Sequence, residues 1–290
     1  MMKLSVVVVS WNTKDLLEKC LKSLYIELEA ANIASEVFVI DNNSADGSSS
    51  MVSKQFPNVR LIANSDNKGF GRANNQALGQ VVGEYILLLN PDTEVLPNAI
   101  SSLLAFAEQN SKAGIVAPQL LNTDRSIQRS CRAFPSLSGM FYEIIGLSRL
   151  LPKAKKFREY KMLDFDHKSA REVDQPEGAC LLIPKAVLDE VGIFDENFFM
   201  LFEEVDLCLR IKQAGYQIWF YPESKIIHHY GQSIKKVKVR MMLSSHRGMY
   251  YFWSKHHQRW YHKLARPLLW FMLAGLLIFR IIIYYLRKII

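Results

Sequence analysis

Four groups of polar residues in this 290-residue chain have the types and spacing of working chemistry. Asn90-Pro91-Asp92-Thr93-Glu94 follows a wholly apolar run, and its two acids stand two positions apart. Such acids can hold a hard divalent cation, which takes one or two carboxylates and completes its shell with substrate phosphates. A capped turn with Pro91 as a rigid stop would use the same residues. Glu203-Glu204-Val205-Asp206 places three carboxylates in four residues, behind the apolar Phe198-Phe199-Met200-Leu201-Phe202. A helix N-terminus favours acids electrostatically. One acid at the mouth of an apolar approach would also serve as a general base with a raised pKa. Asp41, before Asn42-Asn43-Ser44-Ala45-Asp46-Gly47, can accept hydrogen bonds from a ribose or a uracil-type base, or close an Asx-turn or cap a helix. His228-His229 offers imidazoles that could join a metal or be structural.

The elements that must position these residues are legible in the apolar pattern. Residues 4–9 form a continuous β-branched run, the mark of a strand buried on both faces rather than of a signal peptide. Thr13 reads as the N-cap of a helix with Leu16, Leu17, Cys20, Leu21 and Leu24 on one stripe. Further strands are predicted at 36–40, 59–62, 85–89 and 114–117, with helices at 70–81 and 96–108. Alternation at this spacing predicts a doubly wound α/β sheet, in which ligands bind beyond the carboxyl ends of the strands. Ser10-Trp11-Asn12, Asp41 to Ser44, Asn64 to Lys68 and Asn90-Pro91-Asp92 should therefore share one crevice. Residues 122–175 break the rhythm and read as an excursion over the site. A second block follows, with a strand at 179–183, a helix at 203–214 and a strand at 217–221.

Charge divides the chain. Of 36 Lys and Arg, 13 lie from Ser224 onward, where there is no Asp or Glu; the other 23 precede it with all 28 acids. The basic end is also apolar from Pro267 to Leu286, interrupted by Arg280, and six of the seven histidines lie in it. A stretch of about twenty residues can span a bilayer, although a central Arg costs roughly 2.5–3.5 kcal/mol on insertion scales. Basic clusters on both sides leave its orientation open, while Tyr250, Tyr251, Phe252, Trp253, Trp260 and Tyr261 supply aromatic anchors. Attachment to the inner face of a membrane is expected, against the alternative of a helix buried in a homodimer interface. With an acidic body and an apolar basic tail, nucleic acid is not the expected partner. Cys20, Cys131, Cys180 and Cys208 have no paired spacing and read as buried free thiols.

Taken in order, seven stretches resemble the inverting family 2 glycosyltransferases of GT-A fold, in their rhamnosyltransferase-like branch. They are Val6 to Asn12, Asp41 to Gly47, Asn67-Lys68-Gly69-Phe70-Gly71, Asn74-Asn75, Leu89 to Glu94, Glu203 to Leu207 and His228-His229-Tyr230-Gly231-Gln232-Ser233. The resemblance covers about residues 4–233. It implies a Rossmann-like, doubly wound mixed sheet over 1–235, with 1–120 binding the nucleotide sugar and 121–235 the acceptor; the charge and apolar pattern above add a helical membrane-associating tail over 236–290.

It also implies roles. Asp41 and the Ser10-Trp11-Asn12 turn would contact the nucleotide, with Asn43, Lys68, Gly69, Asn74, Asn90, Glu203 and Asp206 among the substrate-binding residues. Asp92 would hold Mg²⁺ or Mn²⁺ on the diphosphate, with Asn90 where the family's motif has its first acid, and His228 would approach the same centre. Glu204 would be the general base. The implied reaction moves a sugar, L-rhamnose in this branch, from a nucleoside-diphosphate donor to a lipid-linked or polysaccharide acceptor at the cytoplasmic face of the membrane. A divalent cation would neutralise the leaving diphosphate, so only one carboxylate is needed, to deprotonate the acceptor. Two other readings compete. A sugar-nucleotide nucleotidyltransferase would carry a Gly-rich basic loop after its first strand, which Ser10-Trp11-Asn12-Thr13 is not. A decayed, membrane-tethered glycan-binding subunit need not keep Asp41, Asp92 and Glu204. Within the acidic helix, Asp206 and Arg210 have the i,i+4 spacing of a structural pair, and Glu203 would support Glu204.

Overall fold

The computed structural model describes residues 2–135, 155–229 and 238–289. Much of the 122–175 excursion, the Tyr230-Gly231-Gln232-Ser233 end of the last motif and the boundary placed at 235 lie outside the described residues. Strand β1 (Leu4–Ser10) is buried along nearly its whole length. It pairs in parallel with β2 (Ser35–Asp41) on one edge and β4 (Tyr85–Leu89) on the other, and β2 pairs with β3 (Arg60–Ala63). Helices α1 (Lys14–Ala30), α2 (Ser48–Gln55) and α3 (Phe70–Leu78) return the chain between these strands.

Beyond β4 come β5 (Thr93–Val95), α4 (Ala99–Gln109), β6 (Ala113–Leu121), β7 (Cys131–Arg132) and α5 (Lys155–Tyr160). Then follow β8 (Arg171–Glu172), β9 (Gln175–Pro176), β10 (Cys180–Pro184), α6 (Lys185–Val191), α7 (Glu203–Gln213) and β11 (Gln217–His228). The main sheet has the order β3-β2-β1-β4-β10-β6-β11-β5, with β8 also on β11, while β7 and β9 form a small ribbon. β10 runs antiparallel to both β4 and β6, and β5 antiparallel to β11, so the sheet is mixed.

Both faces are covered, as continuous apolar strands require. Leu4, Val6 and Val8 join Leu17, Leu21 and Leu24 of α1 and Leu103 of α4 on one side. Val7 joins Ala73 and Ala77 of α3, and Leu207 and Ile211 of α7, on the other. All four cysteines are free and buried, and burial pushes the Cys20 thiol up to about 12.

Two local expectations need correction. Thr13 precedes α1 as expected, but its hydroxyl meets Ser10 Oγ at 2.9 Å and makes no capping hydrogen bond. The strand predicted at 217–221 continues to His228, because β5 and β6 provide partners on both edges.

The basic tail forms α8 (Lys238–His256) and α9 (Trp260–Ile289). α8 packs on the body of the protein. Its Gly248 passes the turn before α7 so closely that a Cβ there would lie 2.8 Å from the carbonyl oxygen of Leu201.

Candidate active site

The carboxyl ends of β1, β2 and β4 open on one cleft, lined there by Trp11, Asn42, Asn90, Pro91 and Asp92. The antiparallel course of β10 brings its start to the same place: Cys180 is opposite Leu89, and the Asn90 N–H donates to the carbonyl of Ala179 at 2.8 Å. Glu177 and Gly178 thereby join the wall. β5 lies against the end of β11 with Thr93 opposite His228, so Asp92 and His228 become neighbours although 136 positions apart. Met200, Leu201, Glu203 and Glu204, at the start of α7, complete the lining.

Gly69 closes the floor. It has φ +84°, and a Cβ there would come 2.3 Å from the carbonyl oxygen of Phe199, the same oxygen that accepts the Phe70 N–H at 3.0 Å. Only glycine lets these two loops meet.

Asp92 and His228 are both buried, with Asp92 Oδ1 3.5 Å from His228 Nε2. Gln128 Oε1 lies 2.8 Å from His228 Nδ1 and Glu177 Oε1 4.0 Å from it, so the ring is held from that side with Nε2 turned toward Asp92. A ring nitrogen fixed through its opposite N–H is how proteins orient a metal-binding imidazole. One carboxylate and one such imidazole on a cleft wall fit a cation whose remaining ligands are phosphate oxygens, not a closed protein cage. No group of three or more His, Cys, Asp or Glu side chains able to hold a metal occurs among the described residues, which agrees with that division.

Glu203 and Glu204 follow a strained turn. Leu201 (φ 68°) and Phe202 (φ 86°) are both left-handed, a conformation costing roughly 1–2 kcal/mol per residue. Phe202 stacks at a tilt on Phe252 of α8, with ring centres 5.7 Å apart, so the tail helps to hold this turn. The Oε2 atom of each glutamate has no hydrogen-bond partner among the described residues. Burial raises both pKa values; for Glu203 the charge of Glu204 adds to it and lifts the value well above the ordinary range, while Glu177 adds a smaller push to Glu204. Burial and their mutual charge thus oppose holding both glutamates ionised together.

A base works only when ionised, so the acid limb of kcat should lie above the usual glutamate range near about 4.3. Glu177→Gln removes one of the charges that raise Glu204. The limb should then move to lower pH, and a kcat–pH profile in which it stays fixed would contradict this coupling.

Several residues expected at the site do other work. Asp206 is wholly buried, with Arg210 Nε at 2.9 Å, Lys255 Nζ at 2.8 Å and His256 Nε2 at 2.7 Å on its carboxylate. It does not line the cleft, and the i,i+4 pair with Arg210 is present. Burial tends to raise its pKa, but hydrogen bonds from His256, Lys255 and Arg210 outweigh that and hold it below the usual aspartate value.

A depressed folded-state pKa contributes stability above the unfolded pKa and loses it as pH falls through the folded one. Asp206→Asn should destabilise the fold by roughly 3 kcal/mol at neutral pH, the low end for a broken buried pair. The low end applies because Lys255 keeps Asp195 and Arg210 keeps the carbonyls of Val191, Gly192 and Ile193. Denaturant unfolding of the two proteins should converge as pH drops below the lowered pKa; a gap unchanged with pH would refute the assignment.

Ser10, Asn12, Asp41, Asn43, Lys68 and Asn74 also lie off the cleft lining. Ser10 bonds Thr13, and Asn12 brackets the next loop, its N–H donating to Ser44 Oγ and its Oδ1 accepting from the Ala45 N–H. Asp41 Oδ2 takes the Ser44 N–H and the Ser49 hydroxyl, the turn-closing alternative, while its buried Oδ1 has no partner among the described residues. Asn43 is exposed in a left-handed turn, Lys68 pairs with Asp66 at 2.5 Å, and Asn74 Nδ2 donates to the carbonyl of Phe70 inside α3. Their neighbours Trp11, Asn42, Asn67, Gly69 and Asn90 supply the wall.

A mixed, doubly wound sheet with an acid-lined cleft across its strand ends is the architecture of a GT-A glycosyltransferase. The chain belongs to glycosyl transferase family 2, whose sequence profile matches residues 5–149. It is similar to an N-acetylglucosaminyl-diphospho-decaprenol L-rhamnosyltransferase of Mycobacterium tuberculosis, 29% identical over 286 residues, covering 94% of this chain and 90% of that one. The rhamnosyltransferase WbbL of Escherichia coli is 24% identical over 234 residues, or 77% and 82% of the two chains. In fold it resembles a Pyrobaculum calidifontis mannosyltransferase solved with GDP-Man and Mn²⁺, with a TM-score of 0.58 and 16% identity over 94% of this chain and 73% of that one.

Proposed function

We propose that this glycosyltransferase moves L-rhamnose from a nucleoside-diphosphate donor to a lipid-linked acceptor, with inversion, at the cytoplasmic face of a membrane. The observation that carries the reading is the composition of one cleft lining. Asp92 and His228, Glu203 and Glu204, and Trp11, Asn42 and Gly69 all line the same cleft, and Glu177 links the two acid groups, 4.0 Å from His228 and acting on Glu204. The rhamnosyltransferase names of the two relatives support the donor sugar, and the diphospho-decaprenol in one of them supports a lipid-linked acceptor.

In this reading Trp11 and Asn42 receive the nucleotide, and Asp41 orders the loop that presents Asn42. Asp92 and His228 would hold Mg²⁺ or Mn²⁺, which supplies electrostatic stabilisation of the departing diphosphate. Glu204 takes the proton of the acceptor hydroxyl as that oxygen attacks, and Glu203 stands beside it as a supporting group. No carboxylate is required as a nucleophile, so one displacement suffices and the anomeric configuration inverts. We assign residues 1–235 to this catalytic unit and 236–290 to membrane attachment.

The full-length protein should release free nucleotide from dTDP-L-rhamnose, in a panel of nucleotide sugars, only when a polyprenyl-diphosphate-linked sugar is present. Release from a different donor would overturn the rhamnosyl assignment, and release from none would overturn the activity.

A further inference from the structure

We infer that α9 lies flat in the surface of an anionic membrane and does not cross it. This rests on the membrane attachment proposed above and specifies its geometry. By length and composition alone, the stretch Trp260–Leu286 could span a bilayer. Its neighbours decide otherwise. One face of α9 is occupied by α8: Arg266 Nη2 donates to the Ser254 carbonyl at 2.8 Å, and Leu269, Leu273 and Leu276 pack with Met249, Tyr250 and Phe202. Arg280 continues the same face, where its charge depresses the pKa of the buried His246 beside burial itself. From 266 to 280 the helix is thus covered on one side for about 21 Å, most of the roughly 30 Å of a hydrocarbon core.

The covering helix is tied to the catalytic body, through Lys255 to Asp195 at 2.7 Å and to Asp206 at 2.8 Å, and through the close passage of Gly248 over Leu201. A spanning α9 would carry α8 and this charged cluster into hydrocarbon, where neither is tolerated. The opposite face is a continuous apolar stripe in which Leu264, Leu268, Phe271, Ile278, Ile282 and Leu286 are each more than half exposed. Helical spacing of three and four keeps these residues on one side, so a helix lying in the interface buries all of them at one depth.

Charge selects the occupant of this stripe. The chain from Ser224 onward has 13 Lys and Arg and no acid, which suits anionic headgroups and opposes a second copy of the same tail. The arrangement also sets the cleft at the membrane. The residues that α8 and α9 hold, Leu201 and Phe202, immediately precede Glu203, and Leu201 itself lines the cleft. A lipid-linked acceptor would enter from the side where its anchor already lies.

The test uses full-length protein with single cysteines replacing Leu264, Phe271, Ile278 or Leu286, the four native cysteines being buried. Each is labelled with a fluorophore and bound to phosphatidylglycerol–phosphatidylcholine vesicles carrying nitroxide quenchers at known depths. All four labels should report one shallow depth, about 5–10 Å below the headgroups. Binding should weaken at least about tenfold on pure phosphatidylcholine, and the difference should vanish near 1 M salt, where the Debye length is about 3 Å. Labels deepest at Phe271 and Ile278, with Leu286 returning to the far surface, would overturn the flat geometry while leaving attachment intact. Failure to float with either vesicle, or a dimer that hides the labels from both, would overturn attachment itself.

Discussion

Glu204→Gln should lower kcat by about 10²–10⁴-fold and leave donor affinity near that of the wild type. The amide preserves the side chain's shape but cannot take the acceptor's proton, and in the proposed reading the donor's nucleotide is received by Trp11 and Asn42, not by Glu204. The parallel variant Glu203→Gln should be milder, because in this reading Glu203 supports the base and does not itself take the proton. Measuring kcat beside nucleotide-sugar binding for both separates the roles. Near-normal kcat in Glu204→Gln, with a loss in Glu203→Gln, would move the base by one position.

Asp92→Ala should reduce transfer by about 10²–10³-fold, the scale of losing a principal stabiliser of developing charge. Excess chelator should abolish turnover of the wild type. Asp92 and His228 sit together because β5 pairs with the end of β11, so the variant removes a charge without touching either strand's core. Titration with Mg²⁺ or Mn²⁺ after chelation gives an independent reading: activity should return for the wild type and return poorly, with a raised metal requirement, for Asp92→Ala. Full turnover in chelator, or a wild-type rate in the variant, would remove Asp92 from this role.

Both sites could be located in the sequence because their signals are local. A wholly apolar strand that ends at Asn90-Pro91-Asp92 places these residues at the carboxyl end of the sheet, and three acids opening a helix after five apolar residues mark a buried approach. Glu177 was not legible in the same way. Its place depends on β10 running antiparallel to β4, and an apolar run of five residues reads identically in either direction. The short β5 was hidden for a similar reason, since its three residues gain their strand character from β11 alone.

The polar residues at the strand ends divide between the cleft and the loops. In Ser10-Trp11-Asn12 and in Asp41-Asn42-Asn43 only one residue of each lines the cleft, while the others tie the loops to each other. Asn, Asp and Ser serve either role with the same donors and acceptors, so composition does not separate them. Asp206 shows the reverse case. Its pairing with Arg210 was readable from spacing, but Lys255 and His256 come from α8, and no local pattern announces that the basic tail folds back onto α7.

The central claim is that one ionised carboxylate, Glu204, drives a single displacement on a nucleotide-bound sugar. The most direct measurement is the anomeric configuration of the product, read by NMR from transfer catalysed by the full-length protein with the nucleotide sugar whose nucleotide it releases. The product bond should have the configuration opposite to that of the donor. A product that retains the donor's configuration would contradict it, because retention through two displacements requires a protein nucleophile that this account does not contain.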